Sequence, residues 1–240
     1  MSDWFASDLH LDPSAPEIAA RFLRFLAGPV RGARALYLLG DLFEAWLGDD
    51  DPEPAHRAVI AAIAAVASSG TLVYVMRGNR DFLLGKRFCD DSGAILLDDP
   101  AVVTAGGTRV LLSHGDGLCT DDRAYQRLRA LVRDERVRRS FERLPLEARR
   151  RLAGEARAGS REHLATASEY ITDVNPQAVS ALFTAAGVGT MVHGHTHRPA
   201  VHEHTLDAGV GTRIVLGDWH GSAQVLRWDE TGWKLVPCPA

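Results

Sequence analysis

The chain has 240 residues, 46% of them hydrophobic and 24% charged, with a formal net charge of −4. That length and apolar content predict a single domain, residues 1–240, with a sizeable buried core. The three cysteines, Cys89, Cys119 and Cys238, are an odd number at no metal-ligand spacing, which argues against a disulfide framework and fits a reducing cytoplasm.

The first element is a strand, Asp3–Ser7. The chain enters it directly, with no basic leader or cleavage site, so no signal peptide is expected. A helix over Pro16–Leu26 and a strand at Ala35–Leu39 follow. Next comes a helix over Pro54–Ser68, whose apolar run Ala58–Ala67 falls far short of the ~20 residues of a membrane span. Val59, Ile60, Ile63 and Val66 recur there at helical spacing and predict a buried face. Strand Thr71–Met76 and a helix over Asp81–Ser92 complete the strand–helix alternation. A hairpin is expected over Ala101–Ser113, turning at Gly106-Gly107. From about residue 121 to 172 no strand pattern appears and helix formers dominate, punctuated by Pro145 and Gly159; this predicts a helical cap insertion. Strand character returns at Thr190–Val192. A hairpin Val201–Leu216, turning near Gly209–Gly211, and a strand pair Ala223–Asp229 and Trp233–Pro237, turning at Thr231-Gly232, end the chain. The mixture predicts an α/β fold of two packed mixed β-sheets flanked by helices.

Five of these strands run into polar motifs: Asp8-Leu9-His10, Gly40-Asp41-Leu42-Phe43-Glu44, Gly78-Asn79-Arg80-Asp81, His114-Gly115-Asp116 and Gly194-His195-Thr196-His197. Ligands collect at the carboxyl ends of strands in open α/β sheets, so the motifs should meet on one rim. They offer seven candidate metal ligands: Asp8, His10, Asp41, Asn79, His114, His195 and His197. Oxygen and imidazole donors without thiolate suit Mn, Fe, Co or Zn. Two such ions roughly 3.5–4 Å apart share a carboxylate and activate water near neutral pH. His10 or His114 alone reads better as a hydrogen-bonded core residue, and Asp41 alone as a turn residue; the joint pattern reverses this and points to a dinuclear hydrolase. By contrast, His56, His202, His204 and His220 lie outside the motifs and are expected to be structural or peripheral.

Arg80 bears on the reaction. It stays protonated at any working pH and so cannot protonate an alkoxide leaving group. A departing phosphate monoester, with a second pKa near ~6, needs no proton, and a planar guanidinium fork matches phosphate oxygens. The residue favours a phosphoanhydride over a simple monoester, against the plainer reading of a structural arginine paired with Asp81 or Glu44.

Between Arg123 and Arg161 stand thirteen arginines against five acids, a net of +8 in a chain whose total is −4. They are interleaved with Leu128, Leu131, Val132, Val137, Phe141, Leu144, Leu146 and Leu152. Clustered arginine is also a nucleic-acid footprint, but no aromatic ladder for base stacking accompanies it. A basic amphipathic segment of this make-up suits an anionic lipid interface, with Arg149, Arg150 and Arg151 among the membrane-facing charges. No nucleic-acid partner is expected.

The ordered motifs resemble the calcineurin-like metallophosphoesterase superfamily, whose pattern runs DxH, GDxxD/E, GNHD/GNRD, H and GHxH. Longer stretches narrow the likeness: Arg21–Gly28, Gly40–Asp51, Gly78–Phe88, His114–Asp122 and His193–His202 look like the UDP-2,3-diacylglucosamine pyrophosphatases of the lipid A pathway. The resemblance covers almost the whole chain. It implies a peripheral enzyme on the cytoplasmic face of the inner membrane, acting on a lipid-linked nucleotide sugar with two divalent ions, Mn²⁺ by preference. It further implies that Asp8, His10 and His197 hold one ion, that Asn79, His114 and His195 hold the other, and that Asp41 bridges them. Asn79, Arg80 and His195 would be catalytic, and Asp122 and Ser160 would join them in substrate contact. The family often has Asn and Lys where this chain has Leu164 and Ala167; Arg157, Arg161 or His163 would compensate. The alternatives are another dinuclear enzyme of this fold, such as a nucleotide phosphodiesterase or protein phosphatase, and a silent scaffold, which should have lost ligands.

Overall fold

A computed structural model describes residues 1–51, 53–166, 171–206, 209–221 and 223–238, with the side chains at 161 and 163–166 left out. Strands β1 (Asp3–Ala6), β2 (Ala35–Leu39), β3 (Leu72–Met76) and β4 (Ile95–Leu97) are connected by helices α1 (Pro16–Ala27), α2 (Pro54–Ser68) and α3 (Lys86–Ser92). They lie parallel and adjacent. The antiparallel hairpin of β10 (Gln224–Asp229) and β11 (Gly232–Pro237) extends the β1 edge, giving a six-stranded sheet in the order β11-β10-β1-β2-β3-β4. The second sheet holds β5 (Ala101–Ala105), β6 (Thr108–Ser113), β7 (Thr190–His193), β8 (Ala200–Leu206) and β9 (Gly209–Val215), in the order β5-β6-β7-β9-β8. Its central three strands are parallel and its edges antiparallel.

Side chains alternate across each strand, so β1 and β2 each feed two cores. Phe5, Tyr37 and Leu39 face the second sheet and pack with Val110, Leu112, Val192 and Ile214. Trp4, Ala6, Leu36 and Leu38 face the helices and pack with Phe22, Phe25, Val59 and Ile63. Burial on both faces is why these strands read as continuous apolar runs. A third, smaller core joins Leu111 and Met191 to Val179 and Phe183 of helix α7 (Pro176–Ala186).

The structure differs from the sequence reading in four places. The helix expected from Asp81 begins only at Lys86, because the Asp81 carboxylate is committed to the N–H groups of Gly78 and Leu42, each at 2.7 Å, while Leu83 and Leu84 turn into the core. The short strand β4 was too brief to show a period. Helix α7 was overlooked although its signals are present: Asn175 caps the N–H groups of Gln177 and Ala178 at 2.9 and 3.1 Å, Pro176 opens the helix, and the left-handed Gly187 closes it. The β8–β9 turn lies ahead of Gly209 rather than at Gly209–Gly211, and includes residues outside those described.

Within 121–166 the chain is wholly helical or turn: α4 (Arg123–Arg133), α5 (Glu135–Glu142) and α6 (Leu146–Thr166). Asp122 and Asp134 cap the first two through the N–H groups of Tyr125 and Arg136. No helix among the described residues is long and apolar enough to cross a membrane.

Candidate metal centre

Each polar motif follows its strand by one to three residues, so the loops after β1, β2, β3, β6 and β7 converge on one rim. Backbone bonds hold these loops in register: the N–H of Asp8 donates to the Gly40 carbonyl, that of His10 to Asp41, and that of Gly194 to His114. The loops pass so closely that a Cβ at Gly40 would stand 2.6 Å from His114 Nδ1.

Among the described residues, the non-glycine residues at positive φ are Asp8, His10, Asp41, His195 and His197. All five are candidate ligands. A left-handed side-chain residue costs of order 1–3 kcal/mol, and the strain is confined to the places where a carboxylate or imidazole must turn inward.

Two three-residue groups have ligand atoms within 4.8 Å of one another: Asp8, His10 and His197, and Asp8, Asp41 and His114. Asp41 reaches both halves, with Oδ2 3.8 Å from His10 Nε2 and Oδ1 3.7 Å from His114 Nε2. Asn79 Oδ1 stands 3.0 Å from His114 Nε2. The His195 ring lies 5.1 Å from that of His114 and stacks on Tyr125 at 5.6 Å, while the His195 backbone N–H donates to Asp8 Oδ2 at 2.8 Å.

Neighbouring acceptors set the tautomers. His10 Nδ1 donates to Glu44 at 2.8 Å, His114 Nδ1 donates to the Leu39 carbonyl at 2.9 Å, and His197 Nδ1 faces Asp218 at 3.3 Å. In its neutral, metal-binding form each imidazole, protonated at Nδ1, turns a bare Nε2 lone pair into the cluster. The Nε2 atoms of His10 and His197 are then only 3.2 Å apart, two acceptors facing each other. Asp8 Oδ1 is buried without a hydrogen-bond partner. Opposed lone pairs and an orphaned carboxylate oxygen are what a cation would satisfy, so the residues fit divalent metal.

The charges agree. Burial pushes the Asp8 carboxyl up, but the adjoining His197 ring, 3.5 Å away, and the fields of His114 and His10 hold it well below the usual carboxylate range. Burial depresses His114, yet Asp41, Asp116, Asp8 and Asp99 together raise it to about 9. Burial and the neighbouring His114 lower His195 to about 4. Asp81, buried beside the Asp41 charge, is raised to about 6 despite its backbone donors.

Arg80 stands next to this centre. Its N–H donates to Asp41 Oδ1 at 2.8 Å, its guanidinium is a loose 3.8 Å from Glu44, and its buried Nε has no partner. The structural pairing with Asp81 is not made, since Asp81 serves backbone N–H groups instead. Asn79 and Arg80 line a cavity of about 390 Å³ that continues between α4, α5 and α6 along Leu128, Leu131, Val132, Val137, Phe141 and Leu152. Arg157 and Ser160 line it too. Asp122 is buried at the start of α4, bonded to the Tyr125 N–H, and is not among the lining residues. The Leu164 side chain, those of Arg161 and His163, and Ala167 lie outside the described residues.

One expectation is corrected. Arg149 faces inward rather than toward a membrane: its side chain is 2% exposed, it pairs with Asp50, and it donates to the carbonyls of Leu47 and Leu144 at 2.5 and 3.0 Å. Sequence reasoning gave no part in orienting the ligands to Glu44, Asp218, Asp99 or Asp116. Glu44 and Asp218 orient ligand imidazoles; Asp99 accepts the His114 N–H at 3.2 Å. Glu44 and Asp116 were visible inside their motifs, whereas Asp99 and Asp218 carry no local signal.

Comparison with known proteins agrees with this geometry. Curated relatives named UDP-2,3-diacylglucosamine hydrolase include that of Stenotrophomonas maltophilia strain K279a, 50% identical over 98% of both chains. Another is that of Salmonella agona, 49% identical over the whole of both. Two solved structures share the fold at a TM-score of 0.50 and 12% identity. One is an archaeal phosphodiesterase, covering 99% of both chains; the other is Vacuolar Protein Sorting 29 from Cryptosporidium parvum, covering 98% of this chain and 95% of that one. The profile of the calcineurin-like phosphoesterases matches residues 3–199, from the first strand through every polar motif. With that match and relatives near half identity along its whole length, the chain belongs to the calcineurin-like phosphoesterase family.

Proposed function

We propose that the protein hydrolyses the diphosphate of UDP-2,3-diacylglucosamine to UMP and 2,3-diacylglucosamine 1-phosphate, by attack of water on the α-phosphorus, as a step of lipid A biosynthesis. One observation carries the reading: Asn79 and Arg80, at the metal rim, line the same cavity as the apolar side chains of α4, α5 and α6. A substrate seated there is anionic at one end and hydrocarbon at the other. The names of the curated relatives point to the same compound. A nucleotide phosphodiesterase or protein phosphatase has no use for the apolar half.

Asp8, His10 and His197 would hold one divalent ion and Asn79, His114 and His195 a second, with Asp41 between them. When bound, such a pair lowers the pKa of water and neutralises phosphoryl charge; Mn²⁺ suits the oxygen and imidazole donors. Arg80 has a partnerless Nε and only a loose ion pair, so its fork is available to the departing phosphate. Glu44 keeps the His10 ring in register, and the Leu39 carbonyl does the same for His114. Ser160 and Arg157 would meet the polar head of the substrate from α6. Asp122, which caps α4, would also contact the substrate, as would Leu164 and Ala167 by the family resemblance. Exposed Leu128, Leu131, Leu144 and Leu152, set among exposed arginines, suit a peripheral seat on an anionic bilayer, the cytoplasmic face of the inner membrane.

The test is hydrolysis of the lipid nucleotide with added Mn²⁺, followed by release of UMP. Tailless UDP-glucosamine should be a far poorer substrate. Equal cleavage of both would remove the lipid assignment.

A further inference from the structure

Helix α4 presents Tyr125, Arg129 and Arg133 at i, i+4 and i+8, one face of a helix, to two buried carboxylates behind the metal rim. Asp116 Oδ2 accepts the Tyr125 hydroxyl at 2.9 Å and stands 3.0 Å from Arg129 Nε. Asp99 divides its carboxylate: Oδ1 accepts the Ser113 hydroxyl at 2.7 Å and the His114 N–H at 3.2 Å, and Oδ2 faces Arg129 at 3.5 Å. Arg133 does something its neighbours do not. Its Nη2 donates to the Arg77 carbonyl at 3.0 Å and to Asp116 Oδ2 at 3.3 Å, with Asp99 Oδ2 at 3.8 Å.

Arg77 lies two residues before Asn79, and Asp116 lies two residues after His114. Those two loops meet in the cluster, where Asn79 Oδ1 and His114 Nε2 approach to 3.0 Å. One guanidinium therefore spans the stems of both loops from outside. The same helix lines the apolar cavity with Leu128, Leu131 and Val132.

We infer that Arg133 is a positioning residue that clamps the Asn79 and His114 loops together and ties that half of the metal centre to the helix lining the acyl cavity. The inference rests on the metal reading above. Both acceptors are met by Nη2, one end of a rigid planar cationic fork, whereas an ammonium is a compact point charge on a flexible stem and a glutamine amide is shorter and uncharged. Groups that orient ligands typically set metal affinity by ~10–100-fold. Coupling through the helix is reciprocal, so filling the cavity should tighten the ion held by this half, and the reverse.

The experiment is a Mn²⁺ titration of the full chain, read by electron paramagnetic resonance of free Mn²⁺, with steady-state kinetics alongside. In Arg133→Gln, one of two ions should bind ~10–100-fold more weakly and the other as in the parent protein. The kcat should fall even at saturating lipid. Arg133→Lys should give a smaller loss of the same ion. Arg129→Gln, which loses contacts to Asp99 and Asp116 but none to the Arg77 carbonyl, should leave both affinities near the parent values. The clamp is overturned if Arg133→Gln and Arg133→Lys bind both ions normally, if both ions weaken equally, or if Arg129→Gln reproduces the effect. The titration needs no substrate: a parent protein that binds two ions but releases no UMP would refute the lipid reading and leave the clamp standing.

Discussion

Arg149 offers the sharpest test of reading charge from tertiary structure instead of composition. Replacing it with alanine removes the donors to two backbone carbonyls, Leu47 and Leu144, at 2.5 and 3.0 Å. Leaving a buried acceptor unpaired costs ~1–3 kcal/mol; this applies in full to the Leu47 carbonyl, while exposed Leu144 recovers part of its loss from water. The Asp50 side chain of the ion pair is 61% exposed, so water recovers it and the pair itself contributes only ~0–1 kcal/mol. The sum is about 3 kcal/mol, which for a chain of this size lowers Tm by roughly 6–12 °C. The neighbouring Arg151 is exposed, and Arg151→Ala should stay within ~0.5 kcal/mol of the parent. Thermal denaturation followed by circular dichroism separates the two. On anionic vesicles the order reverses: Arg151→Glu should weaken binding in a salt-sensitive way, while Arg149→Ala should lose affinity only in proportion to unfolded protein. Equal melting temperatures for the two alanine variants would refute the assignment of Arg149 as an anchor of α6.

Asp41→Asn should abolish turnover in a folded protein, because one oxygen of the shared carboxylate becomes a neutral amide; near-normal UMP release with full metal content would count against a dinuclear site. Arg80→Ala should lower kcat by ~10² or more with metal content intact, as for other preorganised electrostatic groups. Arg80→His should fail to restore the lipid reaction while raising activity on an alkyl phosphomonoester; equal losses on both substrates would make Arg80 structural. In EDTA, His114 is raised to about 9 from its ordinary 6.5 and His10 is raised as well, each against the opposing effect of burial. Their contribution is complete below pH 6.5 and disappears as pH climbs through about 9, so the metal-free Tm should fall over that window. Added Mn²⁺ should offset the fall, since deprotonated imidazoles bind metal better. A metal-free Tm that rises from pH 6.5 to 9 would contradict the charge assignment.

All the strands but β4, and the polar motifs at their ends, were legible in the chain because they are local: β1, β2 and β6 hold apolar runs, and Asp8, Asp41 and His114 follow them at short distances. The helix overextended to Asp81 shows the limit. Asp81 reads as a helix-opening residue, yet its carboxylate closes on Gly78 and Leu42, the latter from another loop. The thirteen arginines show it again. Composition recorded a cationic segment, but Arg129 and Arg133 pair with Asp116 and Asp99, and Arg149 with Asp50, so part of that charge is internal. The sequence by itself therefore determined the fold class, the candidate ligands and the amphipathic character of 123–166, since each is written in spacing along the chain. Only the tertiary structure decided which lone pairs face each other, which acids orient the histidines, and which arginines stay in solvent. Those depend on loops 30 to 190 residues apart meeting at one rim, where burial sets the strength of every charge.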